Sequence, residues 1–379
     1  MHVLLISKPL CPPWHDSGKN WARDVAAYGG GDQVVHHVLV PNHQGQVWAE
    51  HPNVVAEPIY AADGSFSPRL LDNARALRRL VERGRCQAVH FCFAPNPRTN
   101  RLARLAMRWR RQPSVHTVLS VPARFEDVSQ VLFAERVVCV SRSTADRFIA
   151  QGISGVEVIP ASIPVPEPLA AAEPARIADI AARFGLTSGR PIVVFPGDYE
   201  FSRAADIFAG AIEHLWRNIE ADFVFACRIK RKESLRREAS IKQRLQAPHQ
   251  AGRVHFLREV HDMRALLALA QVVTLPAEST YAKMDIPLVL LEALAEQTPV
   301  VLADVAPLRE TLGDAPNQNG GLLVPPLDAP ALANALSGLL RDQRAAAELG
   351  QNGRRHVLQH HNAAITCRRY ADIYRDLHL

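Results

Sequence analysis

The 379-residue sequence predicts an α/β protein of two doubly wound, Rossmann-like domains. Three observations carry that prediction. Short β-branched runs alternate with helical patterns along nearly the whole chain, as parallel strands joined by crossover helices require. A single proline-punctuated segment, Pro160-Ala161-Ser162-Ile163-Pro164-Val165-Pro166-Glu167-Pro168, breaks the alternation; it suits neither a helix nor an inner strand and reads as a linker. The length suits two cores rather than one. The expected domains are residues 1–165 and 166–361, with a terminal helix over 362–379 packing back onto the first.

Composition narrows the class. Hydrophobic residues make up 47% and charged residues 22%, which is ordinary for a globular chain. No apolar run approaches the roughly 20 residues that span a bilayer. The start, Met1-His2-Val3-Leu4-Leu5-Ile6, is a strand pattern at once and lacks the basic region and cleavage site of a signal peptide. The six cysteines, Cys11, Cys86, Cys92, Cys139, Cys227 and Cys367, are scattered and read as reduced core thiols of a cytoplasmic protein. A net charge of +6 suits an anionic partner: a metabolite, a membrane surface or nucleic acid. Nucleic acid is disfavoured because no basic patch with interleaved aromatics appears. A nicotinamide cofactor is disfavoured because no GxGxxG follows the first strand. His356 and His360 lie one helical turn apart without a third ligand, so no metal is expected there.

In the first domain, strands are expected at 2–6, 34–40, 88–93, 115–121 and 137–140. Helices are expected at 20–28, 68–83, 97–111 and 144–151. The loop Ser7–Lys19 carries paired prolines and Gly18 close to the helix start, the pattern of a backbone that closes on a ligand; a surface loop fits as well. In the helix Pro97–Arg111, Arg101, Arg104, Arg108 and Arg111 share one face, and Leu102, Leu105, Ala106 and Trp109 form an opposing stripe. The arginines suit a membrane surface or a lipid-diphosphate acceptor. They equally suit a solvated face, and the apolar stripe is expected to pack into the domain core.

The second domain opens with a helix over 173–184. Strands follow at 191–195, 222–227, 253–257, 272–275 and 300–302, with a last one in the block 319–326. After the first of these comes the loop Pro196-Gly197-Asp198-Tyr199-Glu200-Phe201-Ser202-Arg203-Ala204 and then a helix. After the second comes Arg228-Ile229-Lys230, whose alternation puts both cations on one side at a strand's mouth, a placement that suits a diphosphate. They can also be the start of a basic surface helix. The segment Lys283-Met284-Asp285-Ile286-Pro287-Leu288-Val289-Leu290-Leu291-Glu292 reads as a loop feeding a buried helix, with Pro287 at its first position. Free N–H groups at Leu288 and Val289 offer an anion site. Asp285 is expected to cap this helix, and Glu292 is in reach of a ribose. A capped core helix with one satisfied Glu fits the same spacing.

The element Val137-Val138-Cys139-Val140-Ser141-Arg142, with the linker after it and Tyr281–Asp304, resembles the family-4-type glycosyltransferases of the GT-B fold. The resemblance implies two doubly wound domains facing across a cleft. It implies transfer of a sugar from a UDP- or GDP-linked donor to a sugar, lipid-linked or small-molecule acceptor. Retention at the anomeric carbon, with neither metal nor cofactor, is implied too. Glu292 matches the Glu that holds the ribose, Gly18 the first-loop glycine, and Gly197 the glycine of the diphosphate loop. Arg203 stands at that loop's Lys position and is expected, with Lys230, to stabilise the leaving diphosphate; Arg228 is the further cation. Lys283, Met284, Asp285, Ile286, Pro287 and Leu288 are expected along the nucleotide-sugar site. Three positions depart from the pattern: Met284 replaces the first Glu, Asp198 an Arg, and Leu119 a frequent His. Two alternatives follow: an epimerase using Glu278 or Asp285 as base, and an altered partner subunit that binds nucleotide sugar without transfer. The expected setting is bacterial glycan or glycoconjugate biosynthesis in the cytoplasm, with peripheral contact at the inner face of the membrane through Arg101, Arg104, Arg108 and Arg111.

Overall fold

The computed structural model describes residues 1–377 apart from 15, 32, 62–69, 83, 84, 96, 123, 187 and 188. The chain forms two compact units. One comprises Met1–Pro164, Tyr281–Asp285 and His361–Leu379; the other comprises Val165–Thr280 and Ile286–His360.

The first unit holds a seven-stranded parallel sheet. Its strands are β1 (His2–Ile6), β2 (Val35–Pro41), β3 (Val54–Tyr60), β4 (Ala88–Cys92), β5 (Ser114–Val118), β6 (Arg136–Cys139) and β7 (Val156–Val158). The spatial order β3-β2-β1-β4-β5-β6-β7 reverses direction at β1, as in a doubly wound sheet. Inner strands β4 and β5 are buried at every residue, which is why they read as continuous runs rather than alternating ones. β3 and β7 are additions to the expected strands. β3 carries Glu57 and Pro58, residues tolerated at a sheet edge, and β7 is only three residues long.

The sheet's centre is polar in one place. His90 Nδ1 lies 2.6 Å from the Tyr374 hydroxyl, and His90 Nε2 lies 2.7 Å from Thr117 Oγ1. Thr117 Oγ1 is 2.7 Å from the Tyr370 hydroxyl, and His36 Nε2 is 3.2 Å from the Tyr374 hydroxyl. All five side chains are fully buried. The two tyrosines come from the helix Arg369–Asp376, so the chain's end is bonded into the core of this unit. The expected single terminal helix is in fact two, Ala363–Thr366 and Arg369–Asp376. The first is held by backbone bonds between Ile163 and both His361 and Ala363, the second by its tyrosines, and a bend satisfies both. Residues 378 and 379 of the expected helix lie outside the described residues, as do 68, 69 and 83 of the helix now seen at Leu70–Val81.

The helix Pro97–Arg110 corrects one expectation. Its core side is Ala103, Ala106, Met107 and Arg110, not the leucines. Leu102, Leu105 and Trp109 are exposed at 57%, 67% and 67%. At about 100° per residue, the three larger apolar side chains fall beside Arg101 and Arg108 rather than opposite them. Ala103, Ala106 and Met107 pack against the core cluster of this unit, and the leucines and Trp109 are left to the outside.

The second unit holds a six-stranded parallel sheet of β8 (Ile192–Phe195), β9 (Asp222–Ala226), β10 (Val254–Leu257), β11 (Val272–Leu275), β12 (Val300–Ala303) and β13 (Gly321–Val324). The order β10-β9-β8-β11-β12-β13 again reverses, here at β8. An aromatic cluster fills one side: Phe208 lies 5.6 Å from Phe195 and 4.9 Å from Phe225, and Phe225 stacks on Phe256 at 4.9 Å. All six cysteines are buried and none is joined in a disulfide. Among the described residues no helix is long and apolar enough to cross a membrane.

Candidate functional site

In the second unit, three loops leave the carboxyl ends of adjacent strands at the point where the sheet order reverses: those after β8, β9 and β11. That is where open α/β sheets bind ligands. Gly197 sits in the β8 loop, and a Cβ there would come within 2.1 Å of the Phe195 ring. The core aromatic therefore excludes any side chain at this turn. The loop ends at Arg203, the N-cap of the helix Ala204–Leu215, so the free N–H groups of that helix face the loop.

Asp198 is buried, and its departure from the family pattern has a local reason. Its Oδ1 accepts from the backbone N–H of Glu200 (3.1 Å) and of Phe201 (3.3 Å), which closes the loop. Its Oδ2 lies 3.8 Å from Lys230 Nζ. The β8 and β9 loops are joined twice more. The Ser234 hydroxyl donates to Glu200, and Arg231 lies over the Phe201 ring at 5.5 Å. Arg228 is half-buried and Lys230 exposed. Arg203 and Arg228 make no ion pair among the described residues. The structure thus brings Gly197, Arg203 and Lys230 into one set of joined loops, and gives part of Lys230's charge to Asp198.

The carboxylate of Glu278, in the loop after β11, accepts the Arg203 backbone N–H with both oxygens, at 2.9 and 3.0 Å. A negative group already occupies the first free N–H of this helix. Sequence reading weighed Glu278 only as a base. The contact joins loops from neighbouring strands 75 positions apart in the chain, and no local pattern signals it.

The helix after this loop runs over Leu288–Ala295. Pro287 is its N-cap, with φ −64° and ψ 122°, and not its first helical residue as expected. Ile286, Pro287 and Leu288 are buried, and Glu292 is half-buried on the helix. Asp285 does not cap this helix. It belongs to the first unit, is fully buried, and accepts from Ser141 Oγ (2.6 Å), Thr144 Oγ1 and the Val121 backbone N–H (3.0 Å). Its charge lies at the N-terminus of the helix Arg142–Ala150, where it is electrostatically favoured. Its own N–H donates to the Leu119 carbonyl at 2.9 Å. Leu119, one departure from the family pattern, is thereby bonded to the residue that follows Met284, another.

Gly18 joins them. It lies in the first turn of the helix Ser17–Tyr28, where a Cβ would sit 3.3 Å from Leu119 Cδ1. The helix begins at Ser17 because Asp16 caps it, accepting from the Lys19 N–H at 3.0 Å. The Lys19 ammonium folds back onto the loop, 3.3 Å from the Pro13 carbonyl, and burial lowers its pKa. His116 takes no part: it is buried, its Nε2 is 3.1 Å from the Phe93 carbonyl, and burial pushes it down to about 4. Lys283 is half-buried and Met284 buried, both in the first unit. His356 and His360 have ring centroids 5.0 Å apart, and among the described residues no group of three or more His, Cys, Asp or Glu is placed to hold a metal.

Two doubly wound parallel units have the architecture of the GT-B fold. Residues 190–342 match the family described as Glycosyl transferases group 1, and residues 22–165 match Glycosyltransferase Family 4. The chain belongs to the family-4-type glycosyltransferases of the GT-B fold. A stretch of 98 residues is 37% identical to the MMP alpha-(1->4)-mannosyltransferase of Mycolicibacterium hassiacum; it spans 26% of this chain and 22% of that protein. Among solved structures, HepE of Anabaena in complex with UDP superposes with TM-score 0.75 at 15% identity, covering 99% of this chain and 100% of that one. Sucrose-phosphate synthase from Thermosynechococcus elongatus gives TM-score 0.75 at 20% identity, covering 100% of this chain and 99% of that one. At these identities the superpositions speak to the fold.

Proposed function

We propose that the protein transfers a sugar from a nucleoside-diphosphate sugar to an acceptor hydroxyl, and that the diphosphate docks on the joined loops after β8 and β9. The observation that carries this is the start of the helix Ala204–Leu215. There a carboxylate sits on the Arg203 N–H, with Arg203, Arg228 and Lys230 on the surrounding loops. A helix start that holds the Glu278 carboxylate on the Arg203 backbone N–H suits phosphate oxygens as well. Positive charge there stabilises the departing diphosphate as the anomeric C–O bond breaks and the acceptor C–O bond forms. The acceptor's proton leaves with the diphosphate.

UDP is the favoured nucleotide, because HepE is described with UDP, with UDP-glucose, and with UDP and glucose. GDP stays in the test because the aligned relative is a mannosyltransferase. Glu292 is assigned to the ribose, with Lys283, Met284, Asp285, Ile286, Pro287 and Leu288 as the segment that shapes the sugar end. Retention, independence from metal and an acceptor that is a sugar, a lipid-linked glycan or a small molecule belong to the same reading. So do work in the cytoplasm and a peripheral place at the inner face of the membrane. A catalytically altered partner subunit is the second reading. Met284 favours it, since a thioether brings no charge to the position where the family has Glu.

Calorimetric titration with UDP, GDP, ADP and NAD tests the reading. One nucleoside diphosphate should bind, and Glu292→Ala should abolish it. Release of that diphosphate from its sugar only when acceptor is added separates transfer from mere binding. Arg203→Ala should then cut transfer at least tenfold while leaving the melting temperature unchanged; full activity would remove Arg203 from the mechanism.

A further inference from the structure

The exposed face of the helix Pro97–Arg110 joins two properties that rarely share a surface. Arg101, Leu102, Leu105, Arg108 and Trp109 lie within an arc of roughly 120° on the side away from the core. The three apolar members are among the most exposed large side chains of the protein. No acidic residue occurs from 97 to 111. Arg101, Arg108 and Arg111 are exposed and make no ion pair among the described residues. Arg104, by contrast, is spent on structure: its guanidinium donates to the carbonyls of Gln130 (2.5 Å), Leu132 (2.9 Å) and Ser129 (3.3 Å). Arg110 is buried and donates to the Leu80 carbonyl at 2.6 Å. At the end of this face, Arg108, Trp109, Arg110 and Arg111 line an open depression of about 540 Å³.

We infer that this face binds an anionic phospholipid surface, with Leu102, Leu105 and Trp109 entering the headgroup boundary. Arg108 and Arg111 would hold a lipid phosphate in the depression. The inference rests on the peripheral-membrane part of the proposed function, not on sugar transfer. Arginines in the last turn are favourable at any helix C-terminus, but that leaves the exposed leucines and tryptophan unexplained. A helix with basic residues flanking Trp and Leu lies in a membrane interface, where the rings and chains leave water while the guanidinium groups meet phosphates. A protein partner fits less well. Three side chains of this size offer on the order of 300 Å², short of the roughly 800 Å² that a stable interface takes from each side. Nucleic acid would pair the arginines and leave the leucines in water.

Flotation of the full chain with phosphatidylglycerol-containing vesicles, and with pure phosphatidylcholine vesicles, tests the inference at low and high salt. Expected is binding to the anionic vesicles that partly survives high salt. Leu105→Ser with Trp109→Ser should lower it about tenfold and remove the salt-resistant part. Arg101→Gln with Arg108→Gln and Arg111→Gln should lower the low-salt binding similarly. Both variants should keep the wild-type melting temperature and nucleotide titration, because the changed residues are exposed. Unchanged salt-resistant binding by the Leu105/Trp109 variant would overturn insertion through this face, because surface electrostatics are screened at high salt and the resistant contact would then lie elsewhere. Absence of binding by the unaltered protein would overturn the inference and the peripheral reading together, leaving the nucleotide titration to judge transfer. Dimerisation in sedimentation that the same variant abolishes, without vesicle binding, would reassign the face to a second copy.

Discussion

The Glu278 carboxylate grips the backbone N–H of Arg203 with both oxygens, at 2.9 and 3.0 Å. In the proposed docking of a diphosphate at the start of the helix Ala204–Leu215, this carboxylate competes for the same N–H. Removing it exposes the N–H and takes away one negative charge. Charge at a helix N-terminus is worth roughly 0.3–1 kcal/mol, so Glu278→Ala should tighten UDP about two- to fivefold in calorimetry. Weaker binding by that variant would show that the carboxylate shapes the loop rather than competing for it.

Asp285 answers for the local architecture of the first unit. Ser141, Thr144 and the Val121 N–H all donate to its buried carboxylate. Asp285→Ala would leave the buried Ser141 and Thr144 hydroxyls and the half-buried Val121 N–H without their acceptor, a buried unsatisfied donor costing about 1–3 kcal/mol. We expect a loss of at least about 3 kcal/mol in denaturant unfolding of that unit. A loss under about 1 kcal/mol would mean that water replaces the carboxylate.

Gly197→Ala should be felt at the site more than in the fold. The added methyl meets the Phe195 ring, which is fixed within the aromatic cluster, so the loop must move instead. Nucleotide affinity should fall about tenfold or more, while strand β8 and its neighbours keep their circular dichroism signal. Wild-type affinity would show that the loop does not approach the nucleotide.

Buried histidines set an acid limit on stability. Burial pushes His36 and His116 down to about 4, and His90 further, against about 6.5 in the unfolded chain. As pH falls, the unfolded chain takes up these protons first. The stabilising contribution is thus complete above about pH 6.5 and is lost as pH falls towards 4, on the order of 3 kcal/mol per histidine. Denaturant midpoints should hold down to about pH 6.5 and then drop steadily to about pH 4.5. A flat midpoint would mean that these rings are charged in the fold.

The alternation of runs and helices, the proline linker and the Gly197 and Pro287 loops are local facts. Backbone propensity and spacing express them directly, so the second sheet and the first apart from its edge strands β3 and β7 were legible in the sequence. The side of a helix that faces the core was not. Leu102, Leu105 and Trp109 have helical spacing, but so do Ala103, Ala106 and Met107, and only the folded unit shows which set is buried. The role of Asp285 was misread for a related reason. It stands close to one helix start in sequence and lies at another in space.

The sequence by itself determined the class of this protein: two parallel α/β units of a family-4-type glycosyltransferase, because strand and helix patterns and the family's motifs are written in consecutive residues. Only the tertiary structure decided which groups each carboxylate meets. Glu278 with Arg203, Asp198 with Lys230, and Asp285 with Ser141 are partners 32 to 144 positions apart. Their partnership depends on which strands the sheet places side by side. Hydrogen bonds act over a few ångströms of space, and chain separation carries no information about that distance.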